Sequence, residues 1–243
     1  MPTTLLQINA SARAGIRGQS PHGSHTRALT ERFVRRWQDA ARREGQPVTL
    51  RTRDVGAAPP SAIGGDWIAA AFTPPEARSA ALQAALRESD ALIDELKAAD
   101  VLVLGVPMYN FGPPAGFKAW IDNVVRVGAT FGFTPGAANP YTPLLAERPR
   151  PVVLLTSRGE GGLNPGQALA HKNHLDPAVR QALALIGLTD WHAIAIEHDE
   201  TGGEPLARSV SQAFDAVDAL VDALLETRGA RPLAAQDTAS VLT

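Results

Sequence analysis

Five short runs of valine, leucine and isoleucine, separated by longer segments of helical periodicity, are the feature that most constrains how this chain folds. The runs are TLLQIN (4–9), VTLRTRD (48–54), VLVLGVP (101–107), PVVLLTS (151–157) and HAIAIEH (192–198). Four of them are nearly continuous in apolar residues, as expected of strands that are buried on both faces. The run at 48–54 alternates in polarity, which predicts a strand nearer the edge of a sheet.

Segments with a helical repeat fill the intervals between these runs. After Thr26, apolar residues from Leu29 to Ala41 recur at spacings of three and four until Gly45 ends the pattern. Further helices are predicted over 74–100, Lys118–Val127, Pro177–Ile186 and 210–224. Because parallel strands are joined by helical crossovers, this alternation predicts an α/β protein with a doubly wound parallel sheet and helices on both faces.

Composition limits the kinds of protein that this chain can be. The 243 residues are 44% hydrophobic and carry a formal net charge of −2, which disfavours a nucleic-acid or anionic-membrane partner. The chain has no cysteine, which excludes disulfides, thiolate metal sites and cysteine nucleophiles. The start of the sequence lacks a signal-peptide pattern and no run reaches about 18 apolar residues, so a cytoplasmic location is expected.

The length favours one domain, which we place at residues 1–228. The stretch GARPLAAQDTASVLT at 229–243 lacks periodicity and predicts a flexible C-terminal tail.

Ligands of doubly wound sheets bind beyond the carboxyl ends of the strands, which directs attention to the loops there. The first, NASARAGIRGQSPHGSHT (9–26), runs into a helix and is rich in serine and glycine. Hydroxyl groups and free backbone N–H groups at a helix start suit a phosphate, and Ser11, Ser24, His25 and Thr26 are the candidates. The loop matches neither of the usual glycine-rich nucleotide motifs, and Ser24 acting simply as a helix cap is the alternative.

The second loop, PMYNFGPP (107–114), places aromatic side chains and an amide at the end of a buried strand. A flat aromatic ligand needs apolar contacts at its rim and backbone N–H groups near its heteroatoms, and this composition offers both. The alternative is that Met108, Tyr109 and Phe111 are core residues at a strand end. Asn110 and the Gly-Pro elements argue against that alternative, because a core plug needs neither.

The third loop, TSRGEGGLNPGQ (156–167), contains four glycines, which allow a ligand to approach the backbone closely. An ordinary mobile loop is the alternative for this segment taken alone. Three such loops at one sheet edge favour a shared ligand.

Several of these strings together resemble the FMN-dependent NADH azoreductases, which are quinone reductases of the flavodoxin-like fold. The similar strings are DALIDELKAAD (90–100), PMYNF (107–111), the helix start at 118–122, RVGATF (126–131) and TSRG (156–159). The resemblance implies a five-stranded sheet of order 2-1-3-4-5, non-covalent FMN, and a homodimer. It also implies two-electron, ping-pong transfer from NADH or NADPH to quinones, azo compounds and nitroaromatic compounds.

The resemblance also implies which residues bind the cofactor and the substrate. Phosphate contacts are expected from the hydroxyl and histidine candidates of the first loop, and Phe131 is expected near the substrate. The ring and its other edge are expected to contact Pro107, Met108, Tyr109, Asn110, Phe111, Ser157, Arg158, Gly159, Glu160 and Gly161. The sequence departs from the family's pattern in its longer first loop and in Glu160, which separates two glycines.

No catalytic side chain is expected, because the flavin of such an enzyme carries the chemistry and the protein supplies orientation. Backbone groups of Asn110, Phe111 and Gly159 are the expected donors toward the ring. No metal is expected, since the His22/His25 and His171/His174 pairs lack a recognisable third ligand.

Two other functional classes stay open at this point. One is an FMN electron carrier or regulatory module, against which the long segments 56–73 and 128–149 argue, because a carrier needs an exposed flavin edge. The other is a flavin-free hydrolase or binding protein on the same fold.

Overall fold

A computed structural model describes residues 2–229 of the chain. Seven strands and six α-helices occur within that range, with short 3₁₀ turns at Pro75–Ala77 and Ala170–Lys172. In chain order they are β1 (Thr3–Asn9), α1 (His25–Arg43), β2 (Val48–Asp54), α2 (Gly65–Phe72), α3 (Ala80–Ala98), β3 (Val101–Gly105), α4 (Ala115–Val124), β4 (Phe131–Phe133), β5 (Tyr141–Pro143), β6 (Val152–Ser157), α5 (Leu175–Leu185), β7 (Trp191–Ile196) and α6 (Gly203–Gly229).

Five of the strands form one parallel sheet in the order β2-β1-β3-β6-β7. The remaining two, β4 and β5, pair separately as a short antiparallel hairpin. Counted without that hairpin, the sheet has the order 2-1-3-4-5, which confirms the predicted flavodoxin-like architecture. Strand order reverses between β1 and β3, so a crevice for a ligand is expected where these two strands end.

Each face of the sheet carries its own hydrophobic core. Helices α1 and α6 cover one face, where Phe33 stacks on Trp37 with ring centroids 5.8 Å apart. The other face packs against α3, α4 and α5, and includes Phe117 stacked on Trp120 at 5.3 Å. All five residues of β3 are buried, as its continuous apolar sequence predicts for a central strand.

Gly105, the last residue of β3, allows α1 to lie directly against the end of the strand. A Cβ atom at this position would lie 2.7 Å from Cγ2 of Thr30 and 3.1 Å from Oδ1 of Asn9. Thr30 in turn donates a hydrogen bond to that same Asn9 oxygen at 3.0 Å. The first turns of α1 are therefore held at a fixed distance from the loop that follows β3.

The structure adds elements that the sequence patterns did not predict. Within 56–73 the chain forms α2, and within 128–149 it forms the β4–β5 hairpin. The helix has only eight residues and the paired strands have three each, which is too short for a periodic pattern to stand out.

Three helices begin earlier than predicted, one of them α6, which starts at Gly203 instead of near Val210, whereas α3 starts only at Ala80, after the 3₁₀ turn. Helix α4 starts directly after Pro114, and α5 starts at Leu175, so that Pro177 lies in its first turn. Proline is compatible with a helix start, and a proline near the boundary therefore marks it less sharply than assumed. The predicted C-terminal tail lies outside the described residues, apart from Gly229, which ends α6.

Among the helices within residues 2–229, none combines the length and the apolar character needed to cross a bilayer.

Candidate functional site

A cleft opens at the carboxyl edge of the sheet, between the loops that follow β1, β3, β6 and β7. Its larger part is a cavity of about 290 Å³, lined by Ser11, Arg13, Arg17, Ser24, His25, Pro107, Met108, Tyr109, Ser157, Arg158, Gly159, Asp199 and Glu200. A neighbouring cavity of about 180 Å³ is lined by Met108, Asn110, Phe111, Gly159, Glu160, Leu163 and Glu200. Three residues line both, so the cavities are adjoining parts of one cleft.

We call the part formed by Ser11, Arg13, Arg17, Ser24 and His25 the anion end, and the part formed by Met108, Asn110, Phe111 and Leu163 the ring end.

The anion end is built on the N-terminus of α1. Ser24 is the N-cap, and its Oγ accepts a hydrogen bond from the backbone N–H of Arg27 at 3.3 Å. The first N–H groups of a helix have no acceptor within the helix, and the positive end of the helix dipole lies there as well. Ser24 thus caps the helix and also lines the cavity, so the two interpretations of this serine hold together.

His25 is the buried polar group that faces this cavity. Its side chain is 6% exposed, and its Nε2 atom has no partner with hydrogen-bond geometry in residues 2–229. The nearest charged atom is Oδ1 of Asp199, at 3.2 Å. Burial lowers the pKa of His25, Arg17 and Arg13 lower it further, and Asp199 opposes the shift. A buried polar atom without a well-aligned hydrogen-bond partner is costly to keep, which makes Nε2 of His25 a candidate for a ligand contact.

Arg27 fixes the first loop beneath the anion end. Its guanidinium pairs with both oxygens of Asp54 at 2.7 and 2.9 Å, and donates to the carbonyl oxygens of Ser11 and Arg13 at 2.8 and 2.7 Å. Burial by itself would raise the pKa of Asp54, but the hydrogen bonds from Arg27 and from the amides of Ala57 and Gly56 lower it overall. The end of β2 and the first loop are therefore joined by a charged pair.

The ring end depends on an unusual backbone conformation. Tyr109 and Gly112 exchange two backbone hydrogen bonds, at 2.9 and 3.0 Å, around a turn whose central residues are Asn110 and Phe111. These two residues have φ angles of 47° and 66°. Asparagine tolerates that region, whereas a residue such as phenylalanine costs about 1–2 kcal/mol there. Strain of this kind is found where a backbone has a functional task.

The side chains of this turn face outward. Tyr109 is 40% exposed and Phe111 is 47% exposed, so neither is a core plug. Met108, in contrast, is partly buried and packs against the core under the cleft. The Tyr109 hydroxyl accepts a hydrogen bond from the backbone N–H of Ala12 at 3.3 Å, which links the second loop to the first.

In the third loop, the side chain of Arg158 serves the protein interior. It is 1% exposed, and its guanidinium contacts Asp176 at 2.5 Å, Asn164 at 2.9 Å and Glu197 at 3.4 Å. These partners belong to the third loop, α5 and the segment after β7. The predicted cofactor contact of Arg158 can therefore involve its backbone, while its side chain braces the loop.

Close packing explains two of the glycines in this loop. A Cβ atom on Gly159 would lie 2.4 Å from Cδ of Glu200, and one on Gly161 would lie 2.2 Å from Cε1 of His198. The loop after β7 thus lies directly on the third loop, and a larger residue at either position would separate them.

Most of the predicted site residues meet in the cleft, and three do not line it. Thr26 is fully buried behind Ser24, and their hydroxyl oxygens are 2.9 Å apart. Gly161 lies against His198 as described. Phe131 packs edge-on against Tyr141 in the hairpin, with ring centroids 6.0 Å apart. Its predicted role in substrate binding stays a prediction.

Five lining residues were missed by sequence reasoning: Arg13, Arg17, Leu163, Asp199 and Glu200. The segment HDETGG at 198–203 carried an available signal, because it follows the last strand and so ends at the same sheet edge. Within residues 2–229, no group of three or more His, Asp or Glu side chains is arranged to hold a metal ion.

Comparisons with known proteins agree with this architecture. The Flavodoxin_2 family model, described as a flavodoxin-like fold, matches residues 3–221. An FMN-dependent NADH:quinone oxidoreductase of Opitutus terrae is 39% identical over 221 residues, which cover 91% of this chain and 98% of that protein. An FMN-dependent NAD(P)H:quinone oxidoreductase of Pseudomonas aeruginosa is 43% identical over 213 residues, covering 86% of this chain and 93% of that one.

Among solved structures, an FMN-dependent NADH-azoreductase of Bacillus anthracis in complex with FMN superposes with a TM-score of 0.76. It is 15% identical and the match covers 91% of this chain and 99% of that one, a likeness that shows the fold. With a family match over almost the whole described chain and relatives of this identity, the protein belongs to the flavodoxin-like family that includes the FMN-dependent NADH:quinone oxidoreductases.

Proposed function

We propose that this protein is an FMN-dependent oxidoreductase that passes two electrons from NADH or NADPH to quinones, azo compounds and nitroaromatic compounds in a ping-pong cycle. The observation that carries the proposal is one cleft with two different ends. At one end a buried histidine nitrogen without a well-aligned hydrogen-bond partner lies beside a helix N-terminus, and at the other an exposed aromatic turn is held in a strained conformation. The names of the relatives support the FMN-dependent transfer from NADH or NADPH to quinones.

The residues of the cleft fit FMN. A phosphate accepts hydrogen bonds only, and the anion end offers donors: the Ser11 and Ser24 hydroxyls, Nε2 of His25 and the first N–H groups of α1. Arg13 and Arg17 add positive charge. The ring end offers the side chains of Met108 and Phe111 and the exposed turn between them, which suits a flat ring with polar edges.

A bound flavin supplies hydride transfer itself, so the chain needs no nucleophile of its own. What the chain supplies is position. Asn110 and Phe111 line the ring end of the cleft in their positive-φ turn, and their backbone N–H groups are the proposed donors toward a bound ring. Gly159, which also lines the cleft, would let the backbone of the third loop come close to that ring. The buried Arg158 keeps that loop in place through Asp176 and Glu197. Rigid placement of this kind is what raises the rate of a transfer between bound partners.

A homodimer is part of the proposal. Large apolar side chains are exposed on α2, where Ile68 is 47% and Phe72 is 71% exposed, and on the hairpin, where Phe133 and Tyr141 are 46% and 45% exposed. We propose these side chains as the candidates for the dimer interface, because an interface would remove their apolar area from water. Light scattering coupled to size-exclusion chromatography tests this part, and a monomer at micromolar concentration would contradict it. A cytoplasmic location stays a prediction.

An anaerobic reductive titration tests the activity. We expect the purified protein to bind FMN, to lose the flavin absorbance on addition of NADH or NADPH, and to regain it with benzoquinone in equimolar amount. Titrating both nicotinamides in parallel decides which donor is used. Parallel-line kinetics against both substrates is the result expected of a ping-pong cycle.

Three outcomes would contradict the proposal at different levels. Failure to bind FMN would remove the flavin from the site. Binding without bleaching by either nicotinamide would leave a flavin-binding module. Bleaching without reoxidation by quinones or azo dyes would favour the electron carrier.

A further inference from the structure

Asp199 brings a negative charge into the cleft at the end where positive charge is otherwise collected. It lies in the segment 198–203, which we call the β7 strap, and lines the larger cavity together with Arg13, Arg17 and His25. Its carboxylate is 20% exposed. A carboxylate beside a phosphate site works against phosphate binding, because like charges at short range repel.

The carboxylate of Asp199 uses the same groups that a phosphate needs. One oxygen, Oδ1, lies 3.2 Å from Nε2 of His25, and the other, Oδ2, lies 3.5 Å from Nη1 of Arg13. Neither contact is a strong hydrogen bond: the first lacks hydrogen-bond geometry and the second is at the distance limit. Nε2 of His25 carries at most one hydrogen, which one acceptor can take at a time.

The strap itself is anchored by its backbone. The N–H of Asp199 donates to the carbonyl of Arg158 at 3.1 Å, and that of Glu200 donates to the carbonyl of Gly159 at 3.1 Å. The strap ends at Gly202 and Gly203, whose φ angles are 69° and 58°. These bonds do not involve the Asp199 carboxylate. The side chain can therefore rotate away from His25 and Arg13 while the strap stays in place.

From these contacts we infer that Asp199 is a specificity-determining residue: its carboxylate is an internal competitor for the donors of the anion end and lowers their affinity for phosphate. The inference rests on the proposed function, since the ligand concerned is FMN. The inference adds a statement about the ratio of FMN affinity to riboflavin affinity. In this protein that ratio is smaller than the donors of the anion end would give without Asp199. Removing the carboxylate increases that ratio and leaves the ring end unchanged.

Flavin affinities of three proteins test this inference. The dissociation constants of FMN and of riboflavin are measured by quenching of flavin fluorescence with flavin-free wild-type chain, Asp199→Asn and Glu204→Gln. Glu204 is the matched control, because it carries the same charge, lies at the start of α6 just after the strap, and is 84% exposed. We expect Asp199→Asn to bind FMN about tenfold more tightly than the wild type, and riboflavin equally well. Glu204→Gln is expected to change neither constant.

The asparagine is close in shape to the aspartate, and its own carbonyl can still accept from Arg13. Asp199→Ala, which removes that acceptor as well, is expected to shift the FMN constant in the same direction. Circular dichroism and thermal melting show whether both variants are folded.

Other results would overturn the inference. If Asp199→Asn binds FMN as tightly as the wild type, then Asp199 does not compete for the phosphate donors. If it binds FMN less tightly, then Asp199 supports the phosphate site. If it tightens FMN and riboflavin equally, it acts on the ring end. If Glu204→Gln has the same effect as Asp199→Asn, overall charge is responsible. Wild-type chain that binds neither flavin would overturn the proposed function, which the other results leave standing.

Discussion

At the anion end of the cleft, side chains present the polar groups that face a ligand. At the ring end, the conformation of the backbone determines the surface that a ligand meets. Ser24 and His25 present a hydroxyl and an imidazole at the start of a regular helix. Asn110 and Phe111 instead hold a turn with positive φ angles. A phosphate is recognised by charge and hydrogen bonds, which side chains supply easily, while a flat ring needs a surface of fixed shape. The difference teaches that substitutions at the two ends are expected to fail in different ways.

The largest effect is expected at Arg158, whose buried side chain holds the third loop in place beside the ring end. Replacing Arg158 with methionine leaves Asp176 and Glu197 without their cation in a buried setting, and such a loss destabilises a protein by about 3–5 kcal/mol. Urea denaturation measures the change in the free energy of unfolding. Arg208→Met is the control, because its i,i+4 pair with Glu204 is exposed and is worth less than about 1 kcal/mol. Equal small losses in both variants would show that Arg158 is not a brace.

A second change separates backbone from side chain at the ring end. Asn110→Val places a β-branched residue at a φ of 47°, and we expect it to lose about 1–2 kcal/mol of stability and to weaken riboflavin binding. Asn110→Gly removes the amide but accepts the conformation, so flavin binding is expected to persist. Denaturation and fluorescence titration of the two variants provide the measurement. Loss of riboflavin binding in the glycine variant would assign the role to the amide side chain.

The third prediction concerns the cap at the anion end. Ser24→Ala and Ser79→Ala each remove an N-cap that accepts a backbone hydrogen bond at 3.3 Å, from Arg27 and from Leu82. Both are expected to lower stability by about 1 kcal/mol. Only Ser24→Ala is expected to weaken FMN relative to riboflavin, because Ser79 caps α3 away from the cleft. An equal ratio of the two flavin constants in both variants would show that Ser24 acts as a cap alone.

The smallest effect is a dependence of stability on pH at the same end. The pKa of His25 in the fold lies below its ordinary value, so between the two values the unfolded chain binds more protons than the folded one. The free energy of unfolding therefore falls as the pH drops below about 6.5. His25→Gln is expected to reduce this slope between about pH 7.5 and about pH 5, measured by denaturation. His22→Gln, at an exposed position, is the control, and equal slopes in all three proteins would contradict the prediction.

The fold was predictable because its central strands are continuous in apolar residues. Val101–Gly105 reads as a strand buried on both faces, and the structure buries every residue of it. The helix Gly65–Phe72 was not predicted, since eight residues with an exposed phenylalanine give a weak repeat. The hairpin has the same difficulty, because its paired strands are only three residues long.

The site was predictable as far as the loops that hold it, and less so for individual side chains. Parallel strands bring their following loops to one edge, which is why Ser24 and Met108 were expected together. Sequence does not say which way a charged side chain turns, however. Arg158 was expected as a ligand contact and its side chain is directed inward, while Asp199, which no sequence pattern singled out, faces the cleft.

The missing side chain of Gly105 has a consequence for the kind of molecule that the cleft accepts. Because α1 rests on the end of β3 with no room for a methyl group, the span between the helix start and the Tyr109 turn is set by the width of a peptide backbone. An alanine at this position would act as a wedge and lengthen that span. Flavins whose phosphate is attached through a longer or shorter chain than ribityl would then serve as gauges of the new separation.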